Sequence, residues 1–203
     1  MAKHVDYYLS LNSPWAYLAS RRFEVIAKKH GADVTIWPVD FGSVFAVSGG
    51  LPLPKRSPQR QAYRMMELKR WREVLGIPIN LEPKHFPCDD AAASRLVIAA
   101  KLQGKNAHRL SLELGRAVWE REETLADPTA ISLAAQRAGL DAAELRAGAP
   151  SDAELDGLHE KFTQEALSAG VFGAPSYVLP SGEIFWGQDR LDLLERALKK
   201  LAS

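Results

Sequence analysis

The stretch Tyr7-Tyr8-Leu9-Ser10-Leu11-Asn12-Ser13-Pro14-Trp15-Ala16-Tyr17-Leu18 takes the chain from a strand into a helix, and it decides the fold. Residues 5–9 are apolar and aromatic between polar neighbours, which indicates a short buried strand. Ser13 suits the N-cap of a helix, and Pro14 suits its first position, where the missing N–H would have no partner. Apolar residues then recur at helical spacing until Gly31. The sequence thus predicts a hydroxyl at the positive end of a helix, a place that favours an anion.

The composition is that of an ordinary globular chain: 203 residues, of which 46% are hydrophobic and 25% charged. The formal net charge of +1 gives no reason to expect binding to nucleic acid or to an anionic membrane. Cys88 is the only cysteine, so an intrachain disulfide and a Cys-x-x-Cys redox pair are both excluded. The first residues show no signal-like apolar region, and no apolar run is long enough to span a bilayer, so we expect a cytoplasmic protein.

A second strand is predicted at residues 34–39, one helix-length after the first, which makes a parallel βαβ unit. Residues 41–57 are rich in glycine and proline and include the basic pair Lys55-Arg56, so they predict a long irregular loop. From residue 58 to residue 170 the pattern is helical only, with Asp, Asn or Ser before most helices and Gly after most of them.

Strands return near the C-terminal end, where residues 176–186 predict a hairpin. A last amphipathic helix follows, and Asp189 is predicted as its N-cap. Without the helical segment, the order of elements is βαβ followed by ββα, which is the order of the thioredoxin fold. We therefore predict an α/β thioredoxin-like fold, in which a discontinuous domain (residues 1–57 and 171–203) contains an inserted all-helical domain (residues 58–170).

Two positions in this order bear on chemistry. Pro175 stands just before the third strand, where thioredoxin-like proteins have a cis-proline, so we predict a cis Ala174–Pro175 bond. The place of the redox Cys-x-x-Cys is taken by Ser13-Pro14-Trp15-Ala16. A thiol that reacts at this site must therefore come with a ligand.

Four short motifs follow one another along the chain: Ser13-Pro14-x-x-Tyr17-Leu18, Gly76-Ile77-Pro78, Gly170-Val171-Phe172-Gly173-Ala174-Pro175 and Trp186-Gly187-Gln188-Asp189-Arg190. Through them the chain resembles the 2-hydroxychromene-2-carboxylate isomerases, which are relatives of the kappa-class glutathione transferases. The resemblance covers nearly the whole length. Each motif alone is weak, and the specific signal is that all four occur in order, in the predicted structural places.

The resemblance implies a site for glutathione as a cofactor. Ser13 matches the catalytic serine whose hydroxyl points to the glutathione sulfur. Ala174, the residue before Pro175, matches the position whose backbone pairs with the cysteinyl part of glutathione. Gln188 and Asp189 match the pair that binds the γ-glutamyl end.

Three further positions are implied with less direct chemistry. Arg60 is the best match for the basic residue that faces the glycyl carboxylate. Glu67 matches an acidic residue that reaches the γ-glutamyl group of the other subunit, which implies a homodimer. Gly50 stands where the transferases have an asparagine, so a side-chain contact is in doubt there.

The charges of these residues suit glutathione. A free thiol titrates near pH 8.5, and a helix N-terminus with a hydroxyl donor favours its thiolate form. The ligand has two carboxylates and one ammonium group, which Lys55, Arg56 and Arg60 together with Asp189 suit. Simpler explanations stay open at this point, because Ser13 and Asp189 are good plain caps, and Lys or Arg in a loop is usually only solvated.

The function implied by the resemblance is a glutathione-dependent isomerase. It would interconvert 2-hydroxychromene-2-carboxylate-type aromatic acids, metabolites of aromatic compound catabolism, with open-chain hydroxybenzylidenepyruvates. Two alternatives are a kappa-like transferase or peroxidase, which consumes glutathione, and a non-catalytic thioredoxin-fold binding module. The five histidines show no metal-ligand spacing, and no Gly-rich nucleotide-binding motif is present. Trp15, Phe45 and Tyr63 are candidates for an acceptor pocket, and Cys88 is interpreted as a small buried residue rather than a nucleophile.

Overall fold

The computed structural model describes residues 3–201, and its centre is a four-stranded mixed sheet. The strands are β1 (His4–Leu9), β2 (Asp33–Pro38), β3 (Ser176–Val178) and β4 (Ile184–Trp186), in the spatial order β2-β1-β3-β4. β1 pairs with β2 in parallel, whereas β3 is antiparallel to both β1 and β4. The predicted βαβ and ββα order is therefore confirmed.

Nine α-helices accompany this sheet within residues 3–201. They are α1 (Pro14–His30), α2 (Phe41–Ser48), α3 (Pro58–Leu75), α4 (Ala91–Leu102), α5 (Ala107–Trp119), α6 (Pro128–Arg137), α7 (Ala142–Ala147), α8 (Asp152–Ser168) and α9 (Leu191–Lys200). Single 3₁₀ turns occur at Leu53–Lys55 and Gln188–Arg190. α3 to α8 form the predicted helical segment between the two halves of the sheet. The predicted division into two domains stays a prediction.

Residues 41–57 were expected to form one irregular loop, and this prediction is wrong for residues 41–48, which form α2. Asp40 caps this helix, since its Oδ1 accepts the Gly42 N–H at 2.8 Å and its Oδ2 accepts the Ser43 hydroxyl at 2.6 Å. Gly49, with φ 76°, ends it. The glycine content indicated a loop, but the glycines sit beside the cap and at the end of the helix, where they cost little.

Asp189 does not cap the last helix, so that prediction is also wrong. The N-cap of α9 is Arg190, which makes no side-chain capping bond, and Asp189 lies in the preceding 3₁₀ turn. Its carboxylate instead accepts from Arg190 Nη1 at 2.7 Å. Helix capping therefore does not explain why an aspartate stands at position 189.

The sheet is covered on both faces. On one face the rings of Tyr7, Phe23 and Tyr177 pack at centroid distances of 4.6–5.1 Å, and one continuous buried cluster runs from there to Trp119 of α5. On the other face Tyr8 and neighbouring apolar residues pack under α2 and α8. Within the described residues, no helix is long and apolar enough to cross a membrane.

Candidate active site

Ser13 lies half-buried at the start of α1, as predicted, and it does cap the helix. Its Oγ accepts the Ala16 N–H at 3.2 Å, and its own N–H donates to the Ser10 carbonyl at 3.0 Å. No residue in the described range accepts the hydroxyl proton, and the Trp15 N–H has no acceptor there either. Capping uses a lone pair of the oxygen and leaves its proton available. The same side chain can therefore cap the helix and donate to a ligand.

The Ala174–Pro175 bond is cis, which confirms the prediction. The register that pairs Tyr8 with Ser176 places the end of β1 and the start of β3 at one edge of the sheet. Ala174 therefore lies at the edge from which the chain continues to Ser13. Among residues 3–201, neither its N–H nor its C=O has a hydrogen-bond partner. Because backbone groups in folded proteins normally find partners, this peptide edge is ready for a peptide-like ligand.

Gln188 and Asp189 are held beside the cis-proline loop. The Gly187 N–H donates to the Pro175 carbonyl at 2.9 Å, which joins the two segments. Gln188 is buried, and its Oε1 accepts from Arg22 Nη1 of α1 at 2.8 Å. Because the Gln188 oxygen already accepts a hydrogen bond from Arg22, the groups that this side chain can offer to a ligand are its amide N–H donors. The Asp189 side chain is exposed, and of its carboxylate oxygens Oδ2 accepts from Arg190 at 2.7 Å.

The motifs of the sequence contact one another in pairs. Gly173 lies against the indole of Trp186, since an added Cβ would be 2.3 Å from its Nε1. The Tyr17 hydroxyl is 2.6 Å from the Pro78 carbonyl and 2.5 Å from Glu120 Oε1. Burial, then the hydrogen bond to Glu120, raise the pKa of Tyr17 far above its ordinary value, so this phenol stays neutral. Tyr17 therefore anchors α1 to the end of α3 and has no sign of an acid–base role.

A three-residue cluster next to Ser13 was not predicted. The Asn12 Nδ2 donates to the Cys88 carbonyl at 3.0 Å and to Asp90 Oδ2 at 2.8 Å, and the Cys88 N–H donates back to Asn12 Oδ1 at 3.2 Å. Burial raises the pKa of Asp90 to about 6, against the bond from Asn12, with the charges of Asp89 and Asp40 adding to the rise. These residues tie the start of α4 to the residue before Ser13.

Cys88 itself carries no sign of nucleophilic chemistry. Burial raises the pKa of its thiol, so the thiolate is disfavoured. The side chain is half-buried, with its Sγ 3.5 Å from Asn12 Oδ1. This supports its interpretation as a small packed residue.

Basic residues cluster where α3 begins. Lys55 and Arg60 are exposed, whereas Arg56 and Arg64 are half-buried. Arg56 Nε donates to the Leu51 carbonyl at 2.7 Å, and the Arg64 guanidinium lies 5.5 Å from the centroid of the Phe86 ring. Burial lowers the pKa of Arg64 to about 10, with the charge of Arg56 adding to it. Arg64 was missed, although its spacing of four from Arg60 on a helix was a usable signal.

Gly50 and Glu67 lie outside the group around Ser13. An added Cβ at Gly50 would be 2.3 Å from Phe45 Cδ1, so this glycine offers only its backbone while the ring is in place. Glu67 pairs with Arg70 on the same helix, and the hydrogen bond from Arg70 lowers the pKa of Glu67. Apart from Arg70, Glu67 has no ion-pair partner among residues 3–201. Its role at a second subunit stays a prediction.

The aromatic candidates for an acceptor pocket are spread out. Trp15 packs against the core, Phe45 covers Gly50, and Tyr63 is exposed on α3. An exposed pair that was not predicted is Phe172 and Trp186, whose ring centroids are 4.7 Å apart. A cavity of about 490 Å³ lies along α1 between the end of α3 and α5, but Ser13 does not line it.

The chain matches the model of the DSBA-like thioredoxin domain over residues 4–199, and it belongs to that family. It is 29% identical to a 2-hydroxychromene-2-carboxylate isomerase of Sphingobium xenophagum, over 98% of this chain and 99% of the relative. It is 26% identical to human glutathione S-transferase kappa 1, over 98% of this chain and 92% of the relative. The solved structure of a 2-hydroxychromene-2-carboxylate isomerase superposes with a TM-score of 0.81 at 24% identity, covering 98% of this chain and 96% of that one. The resemblance and the thioredoxin-like fold predicted from the sequence are both confirmed.

Proposed function

We propose that this protein is a glutathione-dependent isomerase that interconverts 2-hydroxychromene-2-carboxylate-type acids and their open-chain hydroxybenzylidenepyruvates. The observation that carries the proposal is the Ser13 hydroxyl, whose proton has no acceptor in the described chain, at the edge of the sheet that also carries the unpaired Ala174 peptide groups. A site with a donor for sulfur and without a Cys-x-x-Cys pair needs a thiol from outside. The full-length similarity to enzymes named as isomerases and as a glutathione transferase supports glutathione as its source.

The residues present fit each part of glutathione. The free N–H and C=O of Ala174 would pair with its cysteinyl unit. The Gln188 amide suits the γ-glutamyl carboxylate, and the Asp189 carboxylate suits its ammonium group. Arg60, exposed in the first turn of α3, suits the glycyl carboxylate. The ammonium group and the glycyl carboxylate thus have partners of opposite charge, and the γ-glutamyl carboxylate has a neutral hydrogen-bond donor.

The protein contributes stabilisation of negative charge. When bound, glutathione supplies a sulfur nucleophile that adds reversibly to the conjugated carbon of the acid, which permits rotation about a single bond, and it is then released unchanged. The Ser13 O–H and the Trp15 N–H, at the positive end of α1, favour the thiolate over the thiol. These donors are fixed by the helix before the substrate arrives, so they stabilise developing charge without reorganising. The chemistry requires a reducing compartment, which suits the cytoplasm.

We also propose a homodimer formed through α3. This helix has 18 residues, of which only Leu68 is buried, and Tyr63, Met66 and Val74 are exposed. A second subunit on this face would bring Glu67 to the partner's site. Light scattering should give a dimer mass, and Met66→Lys should shift it to a monomer. Leu193→Lys on α9, an equally exposed leucine, is the control that should leave the mass unchanged.

Product analysis tests the function. The purified protein is incubated with 2-hydroxychromene-2-carboxylate, with and without glutathione, and both the acids and the remaining thiol are quantified. An isomerase gives the open-chain acid only with glutathione present and leaves its concentration unchanged. Depletion of glutathione with formation of an adduct would replace the isomerase with the transferase. No binding of glutathione in a calorimetric titration would leave a non-catalytic module.

A further inference from the structure

Three arginines near the start of α3 lack the acidic partner that buried arginines normally have. Arg56, Arg60 and Arg64 form no ion pair with any Asp or Glu in residues 3–201. Arg56 and Arg64 are half-buried, and burial with a neighbouring arginine lowers the pKa of each. Like charges held together in partly buried positions are costly, and here the chain offers the Leu51 carbonyl to Arg56 and the Phe86 ring to Arg64 but no carboxylate. Such an arrangement indicates that an anion from outside completes it.

Arg64 is the member of this cluster that contacts the segment leading to Cys88, through the Phe86 ring. Its guanidinium lies 5.5 Å from the centre of the Phe86 ring, and Phe86 is two residues before Cys88. Cys88 exchanges backbone hydrogen bonds of 3.0 and 3.2 Å with the Asn12 side chain. Asn12 directly precedes Ser13. The segment from Phe86 to Cys88 therefore links the guanidinium to Asn12, the residue next to Ser13.

The hydrogen-bonding capacity of Arg64 is almost unused. Its one polar contact to another described residue is with the Met65 sulfur, at 3.7 Å from Nη1, and a thioether is a weak acceptor. The Phe86 ring covers one side of the guanidinium but cannot accept the in-plane N–H groups of its fork. That fork matches a carboxylate with two parallel hydrogen bonds. The ring beside it adds an apolar wall, so the pair suits a carboxylate attached to an aromatic skeleton.

We propose that Arg64 binds the carboxylate of the aromatic acid substrate and thereby selects acids over neutral aromatic compounds. The assignment rests on the proposed function for the identity of the reaction. The proposal assigns the glycyl carboxylate of glutathione and the carboxylate of the substrate to different arginines. Arg60, exposed and outside the Phe86 contact, is left to the glycyl carboxylate of glutathione, whereas Arg64 receives the substrate.

The test uses two unreactive probes of one shape, chromane-2-carboxylate and chromane-2-carboxamide, which differ only in charge. Their affinities are measured by calorimetry, with and without glutathione, for the wild type, Arg64→Gln, Arg64→Lys and Arg72→Gln. We expect the wild type to prefer the acid by about ten- to a hundredfold, the range of a charge-assisted pair. Arg64→Gln should lose most of this preference. Arg64→Lys, which keeps the charge without the fork, should retain part of it. Arg72→Gln, the same change in the last turn of α3, should behave as the wild type.

The outcomes separate this inference from the proposed function. If Arg64→Gln keeps the acid preference, or if the wild type shows none, the inference is wrong whatever glutathione does. A loss of glutathione affinity in Arg64→Gln, with the acid preference intact, would assign Arg64 to the glycyl carboxylate and also overturn it. If the wild type does not bind glutathione but its acid preference depends on Arg64, the carboxylate subsite is supported and the glutathione dependence falls.

Discussion

Two groups of arginines in this molecule have opposite surroundings. On α5 and just after it, Arg109, Arg116 and Arg121 converge on Glu113, whose side chain is only 3% exposed, with contacts of 2.8–3.5 Å. At the start of α3, Arg56, Arg60 and Arg64 converge on no carboxylate within the described range. The first group is compensated by carboxylates of the chain, whereas the second has no acidic partner among the described residues. Groups satisfied internally support the fold, and groups left unsatisfied are the candidates for binding a ligand.

The same distinction applies inside the active site. The Gln188 oxygen is already bonded to Arg22, and the Ser13 oxygen already accepts from Ala16. The Ser13 proton and both peptide groups of Ala174 have no partner among residues 3–201. A residue can therefore be structural through one atom and functional through another. The capping bond of Ser13 therefore does not exclude the catalytic role that we propose for it.

The largest effect is expected at the centre of the compensated group. Glu113→Gln should destabilise the protein by about 3–5 kcal/mol, because it leaves several partly buried guanidinium groups without their counter-charge. Urea denaturation measures this loss. Glu160→Gln, an exposed carboxylate on α8, is the matched control and should change the free energy of unfolding by less than about 0.5 kcal/mol. A loss below about 1 kcal/mol in Glu113→Gln would show that this network contributes little to stability.

Asp90 should make stability depend on pH in the acid range. The folded pKa of about 6 lies above the ordinary 3.8, so the folded state binds a proton that the unfolded state has lost between these values. Stability should therefore fall as pH rises from about 4 to 6, by up to roughly 3 kcal/mol at higher pH. In Asp90→Asn, which keeps an oxygen for Asn12, the slope contributed by this carboxyl should vanish. Asp89→Asn, at the exposed neighbour whose charge is only a minor cause of the raised pKa, should retain most of this slope, and equal curves for the two variants would refute the assignment.

At Ser13, two substitutions separate the two roles of the hydroxyl. Ser13→Ala should lose about 1 kcal/mol of stability, whereas glycine is a good N-cap and should cost only about a few tenths. Both should lower turnover at neutral pH about ten- to a hundredfold, since both remove the donor to the thiolate. The ultraviolet absorbance of the bound thiolate, followed against pH, should show a raised thiol pKa in both variants. High pH should recover part of the activity. Wild-type turnover in Ser13→Gly would leave Ser13 as a cap only.

The sequence rules for helix ends succeeded where residues close together in the chain determine the structure. Ser13 with Pro14 began α1, and Gly31 ended it. The same rules failed at α2, where glycines at the helix ends were read as loop residues. These signals act over one turn of chain, which is why the sequence reveals them.

The unpredicted parts of the site depend on contacts between distant residues. Asn12 meets Asp90 across 78 residues, and Arg22 meets Gln188 across 166. Of the cluster of Arg56, Arg60 and Arg64, Arg56 and Arg60 were singled out from the sequence as basic residues, but Arg64 was not. The cluster's lack of acidic partners, however, could be known only once every carboxylate had been placed. The sequence shows which charged residues are present, but only the fold shows which of them lack a partner of opposite charge.

The smallest expected effect completes the contrast between the two arginine groups. Arg121→Gln removes contacts to the Glu113 carboxylate and a 2.7 Å bond to the Glu113 carbonyl, and it should cost about 1.5–3 kcal/mol. Arg64→Gln, the same substitution at a half-buried arginine, removes repulsion from Arg56 and breaks no ion pair. Its free energy of unfolding should therefore stay within about 0.5 kcal/mol of the wild type or rise slightly.

Salt tests the cause of such a rise. Added salt screens the repulsion between like charges, so any stability that Arg64→Gln gains over the wild type should become smaller at high salt. Urea denaturation at two salt concentrations measures both variants. A loss in Arg64→Gln as large as that in Arg121→Gln would mean that Arg64 supports the fold, and the difference between the two groups would disappear.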